Sequence, residues 1–589
     1  MTSEFKLQES QIENESSVWN KENYGGIEYD RLTDFPPKIL LDYNLANHII
    51  ETSKDYMEFE NGEPIMVAEL FAGRAPISRT LKERGELNFQ CHAFDNNEDM
   101  RGQNSLEWVE SYQTDFDASE IDLDEREKEK YDWVVIENGL YATSISEDGT
   151  PKYTKREAEI LRTIALQKAM TMLKPGGFLI ISDALDNTGN FGLKRIKTFL
   201  QRDVEARKVL KRNEKGVTEV VWEYVTEHIK KSTGGDKKKA SMIDVLKRNR
   251  EFVAKAQLFT HEENLDLFRR LGLNERVLFS QANDYLGSNG TYILRKLSDI
   301  ESQEDLPNQL GEAITLKYPV HEKLLNLIGR FRRKVYKETK ATDNLPIIDE
   351  FDRKEDGMTI VYPNKNHIGL TAVASLQPND KEIGLDVESL MIPKNSKDFY
   401  KTLEEFLYGD SKKVKAALDK GKEISFGEVR RLAADDLPRS DLIIFIGDLW
   451  RRFTSYARKE KIDIVLFISD DKRLRIFNRI NHDSGAQFKI VEGFDLDREN
   501  EELQTMMVSA SNYFFGSWEE LEREQILTKE DIANINKLKS VILNGNSWRE
   551  TANQLDKSED IINSVEKLLH NAPSNVNLYY TDHPMPNLD

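Results

Sequence analysis

At 589 residues the chain is too long for one hydrophobic core, so several domains are expected. Its formal charge of -21, from 83 basic and 104 acidic residues, opposes non-specific attraction to nucleic-acid phosphates. A single cysteine, Cys91, excludes an internal disulfide and a cysteine-rich zinc site, and no apolar run approaches the roughly 20 residues that span a bilayer.

Residues 1–35 are polar and rich in Glu, Asn and Ser, and read as an extended arm without an apolar signal core. A soluble, intracellular, cytoplasmic setting is the expectation. After Pro36-Pro37, the segment K-I-L-L-D-Y-N-L-A-N-H-I-I-E-T repeats apolar residues at three and four and predicts a helix. The run from Ile65 to Phe71 then predicts a core strand, ending on the small pair Ala72 and Gly73. Ile77 and Leu81 fall at helical spacing, and Phe89 to Phe94 predicts a second strand closed by Asp95. Cys91 lies on that strand and reads as packing. A strand, a small-residue turn, a helix and a second strand with a terminal acid form the layout of a nucleotide-type site, in which the acid accepts from ribose hydroxyls.

The acidic stretch 100–130 holds Thr114-Asp115-Phe116-Asp117 at the end of a possible short strand. Lys130 to Ile136 predicts a third core strand, followed by Glu137-Asn138-Gly139. A helix ending at Leu173 turns through Lys174-Pro175-Gly176-Gly177 into another strand. Residues 190–255 read as a charged helical insertion carrying K-K-S-T-G-G-D-K-K-K, either a basic finger for a phosphate-bearing partner such as nucleic acid or a solvated loop. Two strands around Gly287-Ser288-Asn289-Gly290 predict a hairpin.

In the order of these motifs, residues 38 to 297 resemble the class I S-adenosylmethionine-dependent methyltransferases. The resemblance implies an α/β, Rossmann-like sheet ending in an antiparallel hairpin, with S-adenosylmethionine as the methyl donor. It implies donor contacts from Glu69, Ala72 and Gly73 at the first turn, from Asp95 to the ribose and from Asp115 to the adenine. Asp115 reads equally as a solvated loop carboxylate. Glu137 to Tyr141 would face the acceptor, with Asn138 and Tyr141 at the first and last positions of the N-P-P-Y motif of amino-directed members; both prolines are missing, and a plain strand-end loop is the other reading. Gly73-Arg74-Ala75-Pro76 departs from the family's G-x-G. Two functions therefore stand side by side: a methyltransferase acting on a macromolecule, possibly on an amino group, and a donor-deficient scaffold subunit of a larger assembly.

Residues 298–312 read as a domain boundary, and 313–510 as a mixed α/β region. Within it, M-T-I-V-Y-P, H-I-G-L-T-A-V-A-S-L and E-I-G-L-D-V-E-S-L predict strands, and Lys397 to about Ala434 predicts helix. The stretch H-I-G-L-T-A-V-A-S-L-Q-P-N-D-K-E-I-G-L-D-V-E, from His367 to Glu388, faintly resembles the phosphopantetheinyl transferases, which implies a magnesium pair at Asp386 and Glu388; an alternating half-buried strand is the other reading. D-L-I-I-F-I-G-D predicts a strand, and Asp448, Asp470 and Asp471 read as metal ligands or helix caps. Residues 528–572 predict a three-helix module resembling a helix-turn-helix, with Ala552, Leu555 and Ile561 in its core. The acids Glu559 and Asp560 at its presumed recognition helix favour a protein partner over DNA. Residues 573–589 read as a polar tail.

Overall fold

The computed structural model describes residues 36–57, 63–96, 105–145, 153–186, 256–273, 276–283, 289–296, 306–338, 348, 352–353, 356–379, 384–395, 398–480, 487–496, 522–523, 525–541, 548–571 and 576–582. The predicted N-terminal arm and the whole of the charged insertion, 190–255, lie outside these residues. The chain forms two units, one of 1–307 with 365–369, the other of 308–364 with 370–589.

The first unit is built on β1 (Ile65–Leu70), β2 (Phe89–Phe94), β3 (Ser111–Gln113), β4 (Tyr131–Glu137), β5 (Leu173–Ala184), β6 (Val277–Asn283) and β7 (Asn289–Arg295). They form one sheet in the order β3-β2-β1-β4-β5-β7-β6. The first five are parallel, while β7 runs antiparallel to both β5 and β6. Helices α1 (Pro36–Tyr56) and α2 (Pro76–Arg84) share a core with Val67, Trp133, Val135 and Ile180. On the alternate residues, α3 (Lys155–Met172) and α4 (His261–Arg270) pack with Ala68, Leu70, Val134, Ile136, Leu179 and Ile181. Successive strand side chains point to opposite faces, so a sheet covered on both must be apolar at nearly every position. That is why β1 and β4 read as nearly continuous apolar runs, whereas β2 carries half-buried Gln90 and His92 at alternate positions. Thr154 with Glu157, and Thr260 with Glu263, form capping boxes that start α3 and α4.

Two local expectations differ. β1 ends at Leu70, and Phe71 lies in the turn with a left-handed φ of 54° rather than in the strand. Lys174-Pro175-Gly176-Gly177 is not a turn outside β5 but its opening, accommodated by a register shift against β4 between Tyr131 and Trp133.

The second unit carries β8 (Ile314–Lys317), β9 (Met358–Pro363), β10 (Leu370–Pro378), β12 (Phe426–Ala434), β13 (Ile464–Asp470), β14 (Lys489–Ile490) and β16 (Val576–Thr581). Their order is β14-β16-β13-β12-β10-β9-β8, and only β12 and β13 pair in parallel. A separate ribbon joins β11 (Met391–Pro393) to β15 (Phe494–Leu496). Helices α5 (Glu322–Glu338), α6 (Asp386–Leu390), α7 (Phe399–Asp410), α8 (Lys412–Leu418), α9 (Arg439–Lys459) and α10 (Asp471–Ile480) complete this part, and α11 (Lys529–Lys539), α12 (Trp548–Asn553) and α13 (Ser558–Asn571) enclose a small core of their own. Ala552 and Ile561 are buried there, and Leu555 packs against them.

Four expectations for this region are corrected. D-L-I-I-F-I-G-D is the start of α9: Phe445, Ile446, Leu449, Trp450 and Phe453 bury one helical stripe, while Ile443 and Ile444 stay exposed. Residues 426–434 form a strand, not helix, because Phe426 and Val429 fill opposite faces of the sheet. Asp386 and Glu388 lie on the short helix α6 rather than on an alternating strand; the Glu388 carboxylate accepts from the Leu385 N–H at 2.8 Å and from the Tyr400 hydroxyl. The polar tail contains β16, whose Leu578, Tyr579 and Tyr580 are buried between β13 and β14.

Burying those three side chains contributes about 1.5–3 kcal/mol each, comparable in sum with the 5–15 kcal/mol that holds a typical domain folded. Ending the chain after Asn575 is therefore expected to abolish cooperative unfolding of the second unit, read as the loss of one transition in a thermal melt.

Candidate functional site

β1 and β4 are neighbours in the first sheet, and the chain leaves them toward opposite edges, to β2 and β3 on one side and to β5, β7 and β6 on the other. In open α/β sheets the crevice beyond the carboxyl ends at such a switch point is where ligands sit. The turn after β1 is tight: the Ala72 N–H donates to the Phe94 carbonyl at 3.0 Å, and the Ala75 N–H to the Ala72 carbonyl at 2.7 Å. Phe71, Gly73 and Ala75 all adopt left-handed φ, near 50°. Gly73 does so freely, whereas Phe71 and Ala75 are held there against a steric cost that residues at functional sites often carry.

Glu69 does not face an open cavity. Its carboxylate accepts from the Ile77 N–H at 3.1 Å, the Ser78 N–H at 2.9 Å and the Ser78 hydroxyl at 2.6 Å, so it satisfies the first N–H groups of α2. Burial outweighs these bonds and raises its pKa to about 7. Asp95, 9% exposed, accepts from the Gly73 N–H at 2.9 Å, and the Tyr112 hydroxyl donates to the Gly73 carbonyl at 2.6 Å. The first turn and the acid of β2 are thus one hydrogen-bonded unit. Ala72 is buried beside them, and Arg74 is partly exposed. Asp115 is exposed, in a loop tied to Asp95 through the Phe116 N–H and the Asp95 carbonyl at 3.1 Å. Cys91 is fully buried, its thiol pushed up to about 12 by burial, which fits a packing role.

Across the crevice, Glu137 closes β4. The Lys38 ammonium donates to Glu137 Oε2 at 2.5 Å and to Asp42, one helical turn on along α1. Burial, and then the neighbouring Asp42 charge, hold the Glu137 carboxyl well above its usual range. Burial would lower Lys38, but the two carboxylates overcome it and leave it raised. Asn138, at φ 50°, donates its N–H to the Ser182 carbonyl at 2.6 Å, and its side-chain oxygen accepts from Asn289 Nδ2 at 2.9 Å. Tyr141 is buried, with its N–H directed at Asp183 Oδ1, 3.4 Å away. Asp183 in turn pairs with Arg162 at 3.0 Å, both essentially fully buried, and Arg162 also donates to Asn264 at 2.8 Å. Burial raises Asp183 despite that partner.

Phe71 spans the two turns. A methyl group added at Gly139 would lie 2.3–2.9 Å from Phe71 side-chain atoms, so the ring rests directly on the backbone after β4.

The parallel strands 3-2-1-4-5, closed by an antiparallel 7-6 pair, decide the fold. The first unit has the class I methyltransferase fold. No protein-family model matches the sequence, and no curated protein matches it. Solved structures do. The CurJ carbon methyltransferase is 11% identical over 44% of this chain and 55% of its own, with a TM-score of 0.26. A putative S-adenosyl-L-methionine-dependent methyltransferase from Methanococcus maripaludis is 15% identical over 48% and 95%, with a TM-score of 0.25. An O-methyltransferase family protein from Burkholderia thailandensis is 13% identical over 49% and 67%, with a TM-score of 0.24. The chain thus spans about half the length of the CurJ structure. At TM-scores of this size, the assignment to the methyltransferase fold rests on strand order and direction.

The structure brings Gly73 and Asp95 into contact and sets Glu137, Asn138 and Tyr141 on the adjoining strand end; Asp115 is on the exposed rim. Sequence reasoning missed Lys38, Asp42, Phe71 and the Arg162–Asp183 pair. Lys38 and Asp42 stand four apart on a predicted helix, a spacing that marks a shared face. For Arg162 and Asp183 no local signal exists. In the second unit, Asp448 is not a helix cap: it lies inside α9, paired with Arg451 at 2.5 Å and Arg452 at 2.8 Å. Among the described residues no group of three His, Cys, Asp or Glu could hold a metal, and no helix is long and apolar enough to cross a membrane.

Two outcomes are expected. Arg162→Met strands Asp183 in the core and should cost about 3–5 kcal/mol in urea unfolding, with Asp183→Asn restoring part of it. Because Glu69 titrates higher in the folded state than its unfolded value, its contribution is complete below the unfolded pKa and is lost as pH rises through about 7. Relative to Glu69→Gln, the wild-type unfolding free energy should therefore fall between pH 5 and 8.

Proposed function

We propose that the first unit binds S-adenosylmethionine at the crevice between β1 and β4 and transfers its methyl group to a nucleophile on a macromolecule. The observation that carries this reading is the Gly73–Asp95 hydrogen bond at the switch point, which fixes an acid of β2 against the turn of β1.

When bound, the donor supplies an electrophilic methyl group, and the protein's task is alignment and the handling of one proton. Asp95 holds the ribose and Asp115 the adenine. Ala72 and Gly73 shape the turn, while Glu69 acts at a distance by anchoring the start of α2. Glu137, Asn138 and Tyr141 line the acceptor side. Partners through the C-terminal helices, or through the lysine-rich insertion for a nucleic acid, belong to the choice of acceptor.

One observation favours a second reading. The Phe71 ring on Gly139 occupies the span between the two turns, as it would in a donor-deficient scaffold. Calorimetry with the donor at up to about 1 mM separates the two. Wild type is expected to bind, Asp95→Ala to weaken binding at least tenfold, in line with about 1.5–3 kcal/mol for a charged hydrogen bond, and Phe71→Gly to tighten it. Heat only from Phe71→Gly would establish the scaffold reading; none from either protein would remove donor binding altogether.

A further inference from the structure

In the second sheet β12 and β13 run parallel, and their shared ladder is short, from Phe426↔Ile464 to Val429↔Phe467. β12 runs on to Ala434 and β13 to Asp470. Past the last shared rung each strand continues its ladder only on its outer side, β12 with β10 as far as Ala434 and β13 with β16 as far as Asp470. The register with β10 gives the cause: from Arg430 to Ala433 β12 advances three residues while β10 advances two, from Ser375 back to Val373. An extra residue is a β-bulge, which bends its strand and increases its twist. β12 therefore turns away with β10 directly after its last rung with β13, and the two strands part at their carboxyl ends. Both faces of this fork are covered. On one, Val429 and Phe467 of the last rung share a core with Trp450 of α9, Phe477 of α10 and Phe488. On the other, Ile464 and Leu466 share a core with Phe399 and Leu403 of α7 and Val414 of α8. Leu432 and Ile468, just past the last rung, are half-buried, one against each core. Trp450 is 1% exposed, its ring 4.9 Å from that of Phe488, and its indole N–H meets no acceptor among the described residues. An indole nitrogen can only donate, and a buried one normally finds an acceptor.

We propose that the fork between β12 and β13 is a second ligand site, which takes a linear chain of secondary amides without bulky side groups, laid along β12 past Val429 as an added strand. The site lies wholly within the second unit and does not rest on the methyltransferase reading. Strand edges offer main-chain donors and acceptors, so what pairs with them must carry amides of its own. An ordinary peptide strand would point its side chains alternately at the two covered faces, where apolar packing leaves them no place. A chain whose amides are joined by methylenes avoids that clash, and the Trp450 N–H supplies a donor for one of its carbonyls. Two sources share this chemistry: a pantetheine arm, with its two amides and terminal thiol, and a glycine-rich peptide.

Calorimetry on the full chain with pantetheine, tetraglycine and tetraalanine, combined with amide hydrogen exchange of the peptide covering 430–434, tests the fork. Pantetheine is expected to bind saturably and to slow exchange in that peptide. Saturable binding of tetraglycine instead, with the same slowing, keeps the site and makes a glycine-rich peptide its occupant. Tetraalanine binding as tightly as either overturns the requirement for a bare chain. No binding by any of the three, or binding that leaves exchange at 430–434 unchanged, overturns the site. Trp450→Phe keeps an aromatic ring and removes the N–H; it is expected to weaken the bound probe about three- to tenfold while the melting temperature holds or rises, since an orphaned donor has gone. Unchanged affinity in Trp450→Phe overturns the role given to the indole. If that variant does not fold, the exchange measurement on wild type still decides the site.

Discussion

Strands β1 and β4 lie side by side, covered on both faces, and this double burial governs the first unit. A strand with no wet face can place polar side chains only where it ends. Glu69 and Glu137 sit at those ends, on the same sheet face, and each must find its hydrogen bonds locally or keep a proton. Glu69 finds them at the start of α2; Glu137 finds one at Lys38 and shares the deficit with Asp42. The geometry of the crevice follows from these two different solutions to the same desolvation problem.

The left-handed turn after β1 is the second consequence. Glu69 can reach the first N–H groups of α2 because the chain reverses sharply through residues 71–75. The same reversal brings the Gly73 N–H to Asp95 and lays the Phe71 ring on Gly139. The hydrogen bond that fixes Asp95 and the ring that covers Gly139 thus share one backbone conformation. The second unit solves its packing differently: a largely antiparallel sheet is completed by a strand from near the chain's end, so residues about 110 apart in sequence lie paired in β13 and β16.

Much of the first unit was legible. The apolar runs at 65–70, 89–94 and 131–136 stand out because strands buried on both faces tolerate almost no polar residue. The terminal acids Asp95 and Glu137 stand out because the runs stop at them. The turn chemistry was read less well: Phe71 looked like strand, since its side chain is apolar and its left-handed conformation leaves no trace in composition. In the second unit, I-I-F-I in α9 looked like strand because a short apolar run does not reveal its period. The stripe became clear only through Leu449, Trp450 and Phe453 beyond it.

By itself, the sequence determined which segments are core strands of the first sheet, that two of them stop at an acid, Asp95 and Glu137, and that the last pair is a hairpin. These are local properties, set by side-chain polarity and turn residues. Only the tertiary structure decided that Lys38 from α1 reaches Glu137, that Arg162 meets Asp183, and that 576–581 is a central strand rather than a tail. Those contacts join residues from 21 to more than 100 positions apart. They depend on which buried charges and strand edges remain unsatisfied once everything else has packed, and a linear pattern carries no record of that.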